Sequence, residues 1–544
     1  MPSSGPEAVI SVADKTITPA HLHLATGVEI HPPTEEGMGW VVRRTDQRLL
    51  KVSPELGELL QALQNAPQSP TIAELADLVP EPWSPEEVTM AVRAMEPHGL
   101  LAGATQPVPC RHHRFSLDHD GAFIFKICDN GAQALFQRLA PWAARLRHSP
   151  LRWAPLLVSL AGLLPLAHTV IAPEGALYQP LAAMTYLGVA AALILTTAVH
   201  EFAHGLTLTA CGRTPRRFGI MLFYFSPAAF CDVTDAWMLR RHERVAVASA
   251  GIIAQTCLGA SCLFVAPAFD GDLAVGLTWY GTMTYLGAMA NMLPFIKLDG
   301  YIALVGWLNH SNLRANSMRA LRNRLAGIRQ DDATAPRWLA PFGLGCVLVP
   351  VFLVWLSLTA LSPTLIQFGT AGRGAFIVLL VAVILAAAVQ GTRALVSVPT
   401  GHRLRLAIAG TLLAGLVLLL PIGTSDSHGF ISQRDGTLLA PMVVTDPAPA
   451  TGTSVDIHRG GLLTGPSLTT GTVTGTQRCR VPATAASPIR SEMLMPESTC
   501  LRITPATVQP AGSTGRITIN HPPRPLGLVT WNQAESLIRA LITT

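Results

Sequence analysis

The chain has 544 residues, of which 49% are hydrophobic and 13% charged, and its mean hydropathy is +0.37. A chain of this length and hydrophobic content is too apolar to fold as a soluble protein around a single core. We therefore predict an integral membrane protein with soluble parts. The net charge of +5 resides mostly in arginines between apolar runs, which disfavours a nucleic-acid-binding protein.

The first part of the chain is predicted to be soluble. Residues 1–27 are polar, and we expect a flexible N-terminus. Residues 28–102 are predicted to form a winged-helix-like α/β module, with short strands followed by helices at 54–63, 71–78 and 84–100. The module contains five Lys or Arg against twelve Asp or Glu, so a nucleic acid is a poor partner. We therefore predict a peptide-recognition module, with a peptide laid along a strand edge as one binding mode.

A predicted connector, residues 103–150, leads into a predicted membrane domain, residues 151–422. Apolar runs of about the length needed to cross a hydrocarbon core of about 30 Å recur in that domain. We predict a polytopic α-helical membrane protein with about seven spans, at residues 151–171, 181–208, 245–267, 273–296, 338–361, 374–390 and 404–422.

The arginines between these runs predict the orientation of the chain. Arginine-rich segments precede the first run, separate the second from the third, follow the fourth and separate the last two. The intervening connections contain almost no basic residues. By the positive-inside rule the N-terminus is cytoplasmic, the C-terminus is extracytoplasmic, and the second and fourth runs both end on the cytoplasmic side.

The second apolar run ends in the sequence HEFAHG, in which His200 and His204 are one helical turn apart. On one helix face the two imidazoles can share a Zn²⁺ ion, while Glu201 is directed at its open coordination position. Ionisable side chains at the end of a membrane-length segment are costly unless they bind or react with something. The alternative interpretation is an interfacial helix end that contains polar residues by chance.

Asp299, in the sequence LDGY at the end of the fourth run, is the predicted third metal ligand, and Asp232 or Asp235 is the alternative. Pro294 breaks the preceding helix, so that non-helical backbone can line a water-accessible cavity. Asn291 lies on a similar face. Its amide can bind the substrate backbone or a developing oxyanion, or it can make a contact between helices instead.

Residues 219–230 are apolar, but a proline interrupts them and they are too short to cross a membrane. We predict a re-entrant or interfacial segment beside the metal-binding helix. This segment either presents an extended edge to a substrate strand or only seals the site.

The C-terminal part, residues 423–544, is rich in Thr, Gly and Pro and contains short β-favouring runs. We predict a small extracytoplasmic β-rich domain, in which no catalytic constellation is visible. Cys479 and Cys500 are the two cysteines in this domain, and a disulfide between them is allowed outside the cytoplasm. The other cysteines have no CxxC spacing, so we expect inert thiols rather than a second metal site.

HEFAHG together with the later sequence NMLPFIKLDGY resembles the site-2 protease family of intramembrane zinc metalloproteases. With DVTDAW, the pattern is similar to bacterial peptide zinc metalloproteases found with ribosomally made, modified peptide natural products. This resemblance implies that His200, His204 and Asp299 hold Zn²⁺ and that Glu201 is the general base. It also implies a precursor peptide as substrate, a leader-binding N-terminal module and a bacterial cytoplasmic membrane. No PDZ domain is recognisable, which disfavours a signalling substrate.

Three functions are compatible with these residues. The first is an intramembrane zinc endopeptidase that removes the leader of a modified precursor peptide. The second is regulated intramembrane proteolysis of a membrane-spanning regulator or a signal-peptide remnant by the same chemistry. The third is a non-hydrolytic membrane protein that binds a peptide or a metal for export or immunity, which needs the metal ligands but not Glu201. The expected partners are a precursor or membrane-anchored peptide and the lipid bilayer, and no nucleic acid.

Overall fold

The structure is a computed structural model. It describes residues 22–33, 39–44, 49–79, 83–102, 115–119, 124–129, 131–172, 176–223, 226–310, 312–328, 336–367, 369–442, 449–460, 464–485, 489–490, 493–494, 497–532 and 535. The prediction of a flexible N-terminus therefore falls mostly outside the described residues.

The first part of the chain contains short strands followed by helices, and membrane-length helices precede a β-rich end. The helices in the described residues are α1 (Pro54–Asn65), α2 (Ile72–Leu78), α3 (Pro85–Met95), α4 (Ala132–His148), α5 (Ala154–Ala161), α6 (Leu163–Ile171), α7 (Ala183–Ala210), α8 (Arg241–Val265), α9 (Gly271–Asn291), α10 (Asp299–Leu308), α11 (Leu313–Ala326), α12 (Leu339–Gln367), α13 (Gly369–Val396) and α14 (Thr400–Leu418). The strands are β1 (Glu29–His31), β2 (Trp40–Arg43), β3 (Leu49–Val52), β4 (Phe115–His119), β5 (Ile124–Asp129), β6 (Leu181–Ala182), β7 (Phe218–Phe223), β8 (Ser226–Cys231), β9 (Pro421–Ser432), β10 (Leu438–Pro441), β11 (Ser454–Gly460), β12 (Thr464–Cys479), β13 (Ile489–Arg490), β14 (Ser498–Pro505) and β15 (Thr514–Pro525).

In residues 28–102, β1, β2 and β3 form an antiparallel sheet in that order, and α1, α2 and α3 follow. Ser53, Thr71 and Ser84 cap these helices with their side chains, and Glu74 and Glu87 complete capping boxes at α2 and α3. Apolar side chains of the sheet and all three helices share one buried core. The strands and helices thus occur close to their predicted positions, whereas the winged-helix likeness and the peptide-recognition role stay predictions.

A second sheet contains β4, β5, β7 and β8 in that order, all antiparallel. β7 and β8 are adjacent, with Phe218 opposite Cys231 and Gly219 opposite Phe230. The predicted re-entrant or interfacial segment, residues 219–230, therefore lies within two paired strands. Cross-strand bonds satisfy its backbone groups, which accounts for an apolar run too short for a span. The predicted connector, residues 103–150, contributes β4, β5 and α4.

Six helical segments of the described residues are long and apolar enough to cross a membrane. They are Pro150–Ile171, Ala183–Ala210, Arg241–Ala268, Leu339–Leu358, Gly374–Val396 and Thr400–Leu418. These segments match six of the seven predicted spans and indicate a multi-pass membrane protein.

The remaining predicted span, residues 273–296, overlaps α9. This helix ends at Asn291, because the chain approaches Pro294, and it is not among the six apolar segments. Thr278, Thr282 and Thr284 of α9 are buried and lower its hydropathy. The count of seven spans therefore stays a prediction.

The chain divides into two compact units by its internal packing. One unit comprises Met1–Arg152, Thr197–Gly251 and Ile302–His310. The other comprises Trp153–Thr196, Ile252–Tyr301 and Ser311–Thr544. The first unit thus contains the last part of α7 and the first part of α8, and the second contains α9, the start of α10 and the C-terminal strands.

The C-terminal strands of the second unit close into a barrel with the order β10-β14-β12-β11-β15-β9. A disulfide joins Cys479 and Cys500, whose Cα atoms are 5.9 Å apart. Alternate side chains fill the interior, and those at most 1% exposed include Leu438, Val455, Ile457, Val473, Leu501, Ile503 and Ile517. The predicted β-rich C-terminal region is confirmed, and its extracytoplasmic location stays a prediction.

Within the second unit, the segment between barrel strands β12 and β14 contacts the connections between membrane helices. β13 pairs in parallel with β6, which directly precedes α7. Arg490 of β13 forms an ion pair of 3.3 Å with Asp272, at the start of α9. The C-terminal region and these two connections therefore meet at the same end of the unit.

Candidate metal centre

The HEFAHG sequence lies inside α7, so the helix brings His200 and His204 onto one face. Their Nε2 atoms are 3.1 Å apart, and the two residues are only 7% and 4% exposed. Two imidazole nitrogens on one tetrahedral zinc ion, each about 2.0–2.1 Å from it, would be about 3.3 Å apart. The observed spacing therefore suits two ligands of a single metal ion.

Glu201 is the third member of this group. One ligand atom from each of His200, Glu201 and His204 lies within 4.8 Å of the others, and the described residues contain no other such group. The group could hold a metal ion. The sequence predicted three metal ligands and one general base. The structure brings three of these four residues together.

The tautomer of His204 is fixed by α8. The backbone carbonyl of Val247 lies 2.6 Å from Nδ1 of His204, and a carbonyl can only accept a hydrogen bond. Nδ1 therefore carries the proton, and Nε2 of His204 presents a lone pair toward His200. A proton on Nε2 of His200 satisfies that lone pair, and a metal ion can replace this proton.

Gly251 leaves the space that a metal ion needs. A Cβ atom at this position of α8 would lie 2.5 Å from Nε2 of both His200 and His204, closer than real Cβ contacts occur. Gly251 is one turn beyond Val247 on the same helix face, so a single face of α8 both orients one imidazole and keeps a gap beside the pair. Of the site residues that the sequence analysis did not identify, Gly251 alone carries a signal, because a glycine costs stability within a helix and is kept there for packing or function.

Strand β8 lies along the other side of α7. The N–H of Cys231 donates to Oε2 of Glu201 at 2.9 Å, and the N–H of Ala229 donates to Oγ1 of Thr197 at 3.3 Å. Alternate backbone N–H groups of the strand therefore point at the helix. The bond from Cys231 fixes one oxygen of the Glu201 carboxylate in place.

The thiol of Cys231 is itself electrostatically disfavoured as a thiolate. Burial, followed by the nearby carboxylates of Glu201 and Asp232, raises its pKa well above the usual value. The thiol therefore stays protonated at physiological pH. Its backbone N–H is the group through which this residue contacts Glu201.

Asp299 and Asn291 meet in the second unit. Asp299 is the first residue of α10, and Nδ2 of Asn291 donates to its Oδ2 at 2.7 Å. In return, the N–H of Asp299 donates to Oδ1 of Asn291 at 3.3 Å. The amide of Asn291 thus holds the Asp299 carboxylate and makes a contact between α9 and α10, whereas its binding of substrate or of an oxyanion stays a prediction. The role of Asp299 as a third ligand stays a prediction.

The alternative ligands, Asp232 and Asp235, are both engaged by other groups. Oδ1 of Asp232 accepts hydrogen bonds from the N–H and the hydroxyl of Thr234, at 3.2 Å and 2.5 Å. Asp235 forms an ion pair with Arg43 at 2.9 Å. The ion pair disfavours Asp235 as a metal ligand, and the alternative role of Asp232 stays a prediction.

Arg43 joins the first sheet to the segment that follows β8. Its Nη2 donates to Asp235 and, at 3.5 Å, to the sulfur of Met238, and its Nη1 donates to Glu29. The side chains of Arg43 and Asp235 are only 7% and 13% exposed. Residues 231–238 therefore contact both Glu201 and the N-terminal module, and a buried ion pair fixes the second contact.

No family model, no curated protein and no solved structure matches this chain. The likeness to site-2 proteases therefore rests on the motifs alone. The feature that indicates function is the site itself, a buried His-Glu-His group on one turn of a membrane-length helix.

We expect Gly251→Ala to reduce bound metal at least tenfold, because the added methyl group displaces the two imidazoles. The measurement is elemental analysis of the purified protein after equilibration with Zn²⁺. Gly188→Ala on α7 is the matched control, since a Cβ there meets no atom within 4 Å. Normal metal content in Gly251→Ala would contradict this account of the site.

We expect Asp235→Asn to destabilise the contact between β2 and residues 232–238 by about 1–3 kcal/mol, because the buried guanidinium of Arg43 then keeps only the half-exposed Glu29 as a carboxylate partner. Hydrogen exchange of both segments, followed by mass spectrometry, measures the change. The matched control is Asp435→Asn, which breaks the half-exposed pair with Arg502 and should cost less than about 1 kcal/mol. Equal effects of the two substitutions would rule out a buried link.

Proposed function

We propose that this protein is a membrane-embedded zinc endopeptidase that removes the leader of a ribosomally made, modified precursor peptide. The observation that carries the proposal is the buried pair of imidazole Nε2 atoms, 3.1 Å apart, with Glu201 beside them. A pair of histidines four residues apart on a helix, with a glutamate after the first, is an arrangement typical of zinc metalloproteases.

His200, His204 and Asp299 would hold the zinc ion. Two imidazoles and one carboxylate are a donor set typical of catalytic zinc, which keeps one position open. The hydrogen bond from Asn291 supports the role of Asp299, because carboxylate ligands are oriented by such partners. When bound, the ion polarises the scissile carbonyl and lowers the pKa of a water molecule.

Glu201 is the proposed general base. Its carboxylate takes a proton from the attacking water, the resulting hydroxyl adds to the carbonyl carbon, and the same proton passes to the leaving amine as the C–N bond breaks. The N–H of Cys231 supports this role, since it holds one carboxylate oxygen in place at 2.9 Å. The substrate must be extended at the scissile bond, because a helix engages its own carbonyl groups.

The N-terminal module is the proposed binding site for the leader. Its twelve acidic and five basic residues favour a peptide over a nucleic acid. Within the described residues, β3 pairs only with β2, so its other edge is available to an extended peptide. The buried pair between Arg43 and Asp235 supports delivery to the metal site, because it joins the module to the segment that contacts Glu201.

The proposed location is a bacterial cytoplasmic membrane, with the N-terminus in the cytoplasm and the C-terminal region outside. The distribution of arginines supports this orientation. The contacts of β13 with β6 and Asp272 support it further, because three segments assigned to the outer side meet at one end of the second unit.

A second candidate is regulated cleavage of a membrane-spanning regulator or signal-peptide remnant. One observation favours it: the His-Glu-His group lies within a helix that is long and apolar enough to span a membrane. The same residues would perform the same hydrolysis. A non-hydrolytic binding or export protein differs from both, because it requires the histidines but not the base.

We expect Glu201→Gln to retain zinc and to lose cleavage by on the order of 10²-fold to 10⁴-fold, because the amide cannot accept the proton. His204→Ala should lose both zinc and cleavage. The assay combines zinc analysis with mass spectrometry of peptides encoded beside the gene, and the exposed Glu497→Gln is the matched control. Cleavage by Glu201→Gln at the wild-type rate would leave only the non-hydrolytic function.

Removal of residues 28–102 separates the two peptidase candidates. The deletion should be combined with Asp235→Asn, so that no buried carboxylate is left without Arg43. We expect this variant to retain zinc and to lose cleavage of a leader-bearing peptide. Its rate of cleavage of a leaderless peptide should not increase. Undiminished cleavage of the leader-bearing peptide would count against leader recognition and favour a membrane-spanning substrate.

A further inference from the structure

Helix α4 is an unusually basic helix just before the first membrane-length segment. It contains Arg138, Arg145, Arg147 and His148 and no acidic residue. Neither the metal site nor the proposed leader-binding module uses it. The neighbours of α4 within the first unit show which of its faces is packed and which is exposed.

One face of α4 packs against the metal-site helix. Phe136 is fully buried, and its ring centroid is 5.3 Å from that of Phe202, the residue directly after Glu201. At the other end of α4, Arg147 donates to the carbonyl of Ala210 at 3.2 Å and to Glu243 at 2.6 Å. The helix is therefore fixed at both ends along the back of α7.

The opposite side of α4 is exposed, and its residue types are ordered around the axis. Leu135 and Trp142 are 49% and 54% exposed, and the partly exposed Leu146 and Leu139 lie between them and the buried Phe136 around the helix axis. At about 100° per residue, the exposed Arg138 and Arg145 lie about 40–80° from Leu135 and Trp142, on the side away from Phe136. The polar residues Gln133, Gln137 and His148 follow next. An apolar strip bordered by arginines and then by uncharged polar groups is the order found at a membrane surface.

The chain itself brings this strip to the bilayer. α4 ends at His148, and the membrane-length segment Pro150–Ile171 begins two residues later. Within the described residues, neither Arg138 nor Arg145 has an ion-pair partner. A surface of phosphate headgroups supplies the missing negative charge, and the acyl boundary supplies the apolar contact for Trp142 and Leu135.

We propose that the outer face of α4, formed by Leu135, Arg138, Trp142 and Arg145, binds the surface of an anionic phospholipid bilayer. The two guanidinium groups contact lipid phosphates, and the two apolar side chains enter the headgroup boundary. Because Phe136 lies on the other side of the same helix, bound lipid holds α4 against the back of α7. This function is independent of whether the metal site cleaves peptides.

The test uses the full-length protein in nanodiscs of phosphatidylcholine alone and of an equimolar mixture with phosphatidylglycerol. Hydrogen exchange of residues 132–148 should be roughly thirtyfold slower in the anionic discs, which corresponds to about 1 kcal/mol for each of the two arginines near such a surface. The double variant Arg138→Gln with Arg145→Gln should lose this difference. The matched control, Arg434→Gln with Arg478→Gln, removes the same charge from exposed barrel positions and should keep it.

A second arm uses the unmodified protein, so that it does not depend on a variant folding. High salt should abolish the lipid-dependent protection of residues 132–148, because it screens exposed charges. Equal exchange in the two kinds of nanodisc would overturn the proposal, and so would protection that persists in the Arg138/Arg145 double variant. Neither measurement requires a substrate, so a failure of the proposed peptidase activity would leave the result interpretable.

Discussion

Two buried imidazole nitrogens, 3.1 Å apart on one turn of α7, impose the constraint on which the rest of the site depends. Two lone pairs at this distance cannot face each other in a buried environment unless a proton or a metal ion lies between them. The neighbouring groups meet this requirement. The carbonyl of Val247 selects the tautomer of His204, and Gly251 provides the space beside both rings.

The support for this pair comes largely from backbone groups. A carbonyl of α8 orients one histidine, and an N–H of β8 holds the Glu201 carboxylate. Beyond β8, the buried ion pair between Arg43 and Asp235 joins the same stretch of chain to the N-terminal sheet. A buried ion pair adds little net stability, but it is costly to break, so it fixes one arrangement of the module beside this segment.

The sequence predicted best those features that depend on neighbouring residues. Ser53 and Ser84 mark helix starts because a cap needs only a side chain and the N–H groups of the next turn. Six of the seven predicted spans are recognisable because length and apolar content suffice for them. For residues 219–230 the sequence predicted a segment beside the metal-binding helix but not the strands that pair within it. Whether an apolar run lies in a membrane or pairs with a strand depends on β5, which is distant in sequence.

By itself, the sequence determined a multi-pass membrane protein with a His-Glu-His group on a helix and a β-rich C-terminal region. Helical periodicity fixes the spacing of His200 and His204 whatever the rest of the chain does. Only the tertiary structure decided which groups serve them: Gly251, the carbonyl of Val247 and the N–H of Cys231. Every residue has a carbonyl, and nearly every residue has an N–H. Position in the fold, rather than residue type, selects the ones that act at the site.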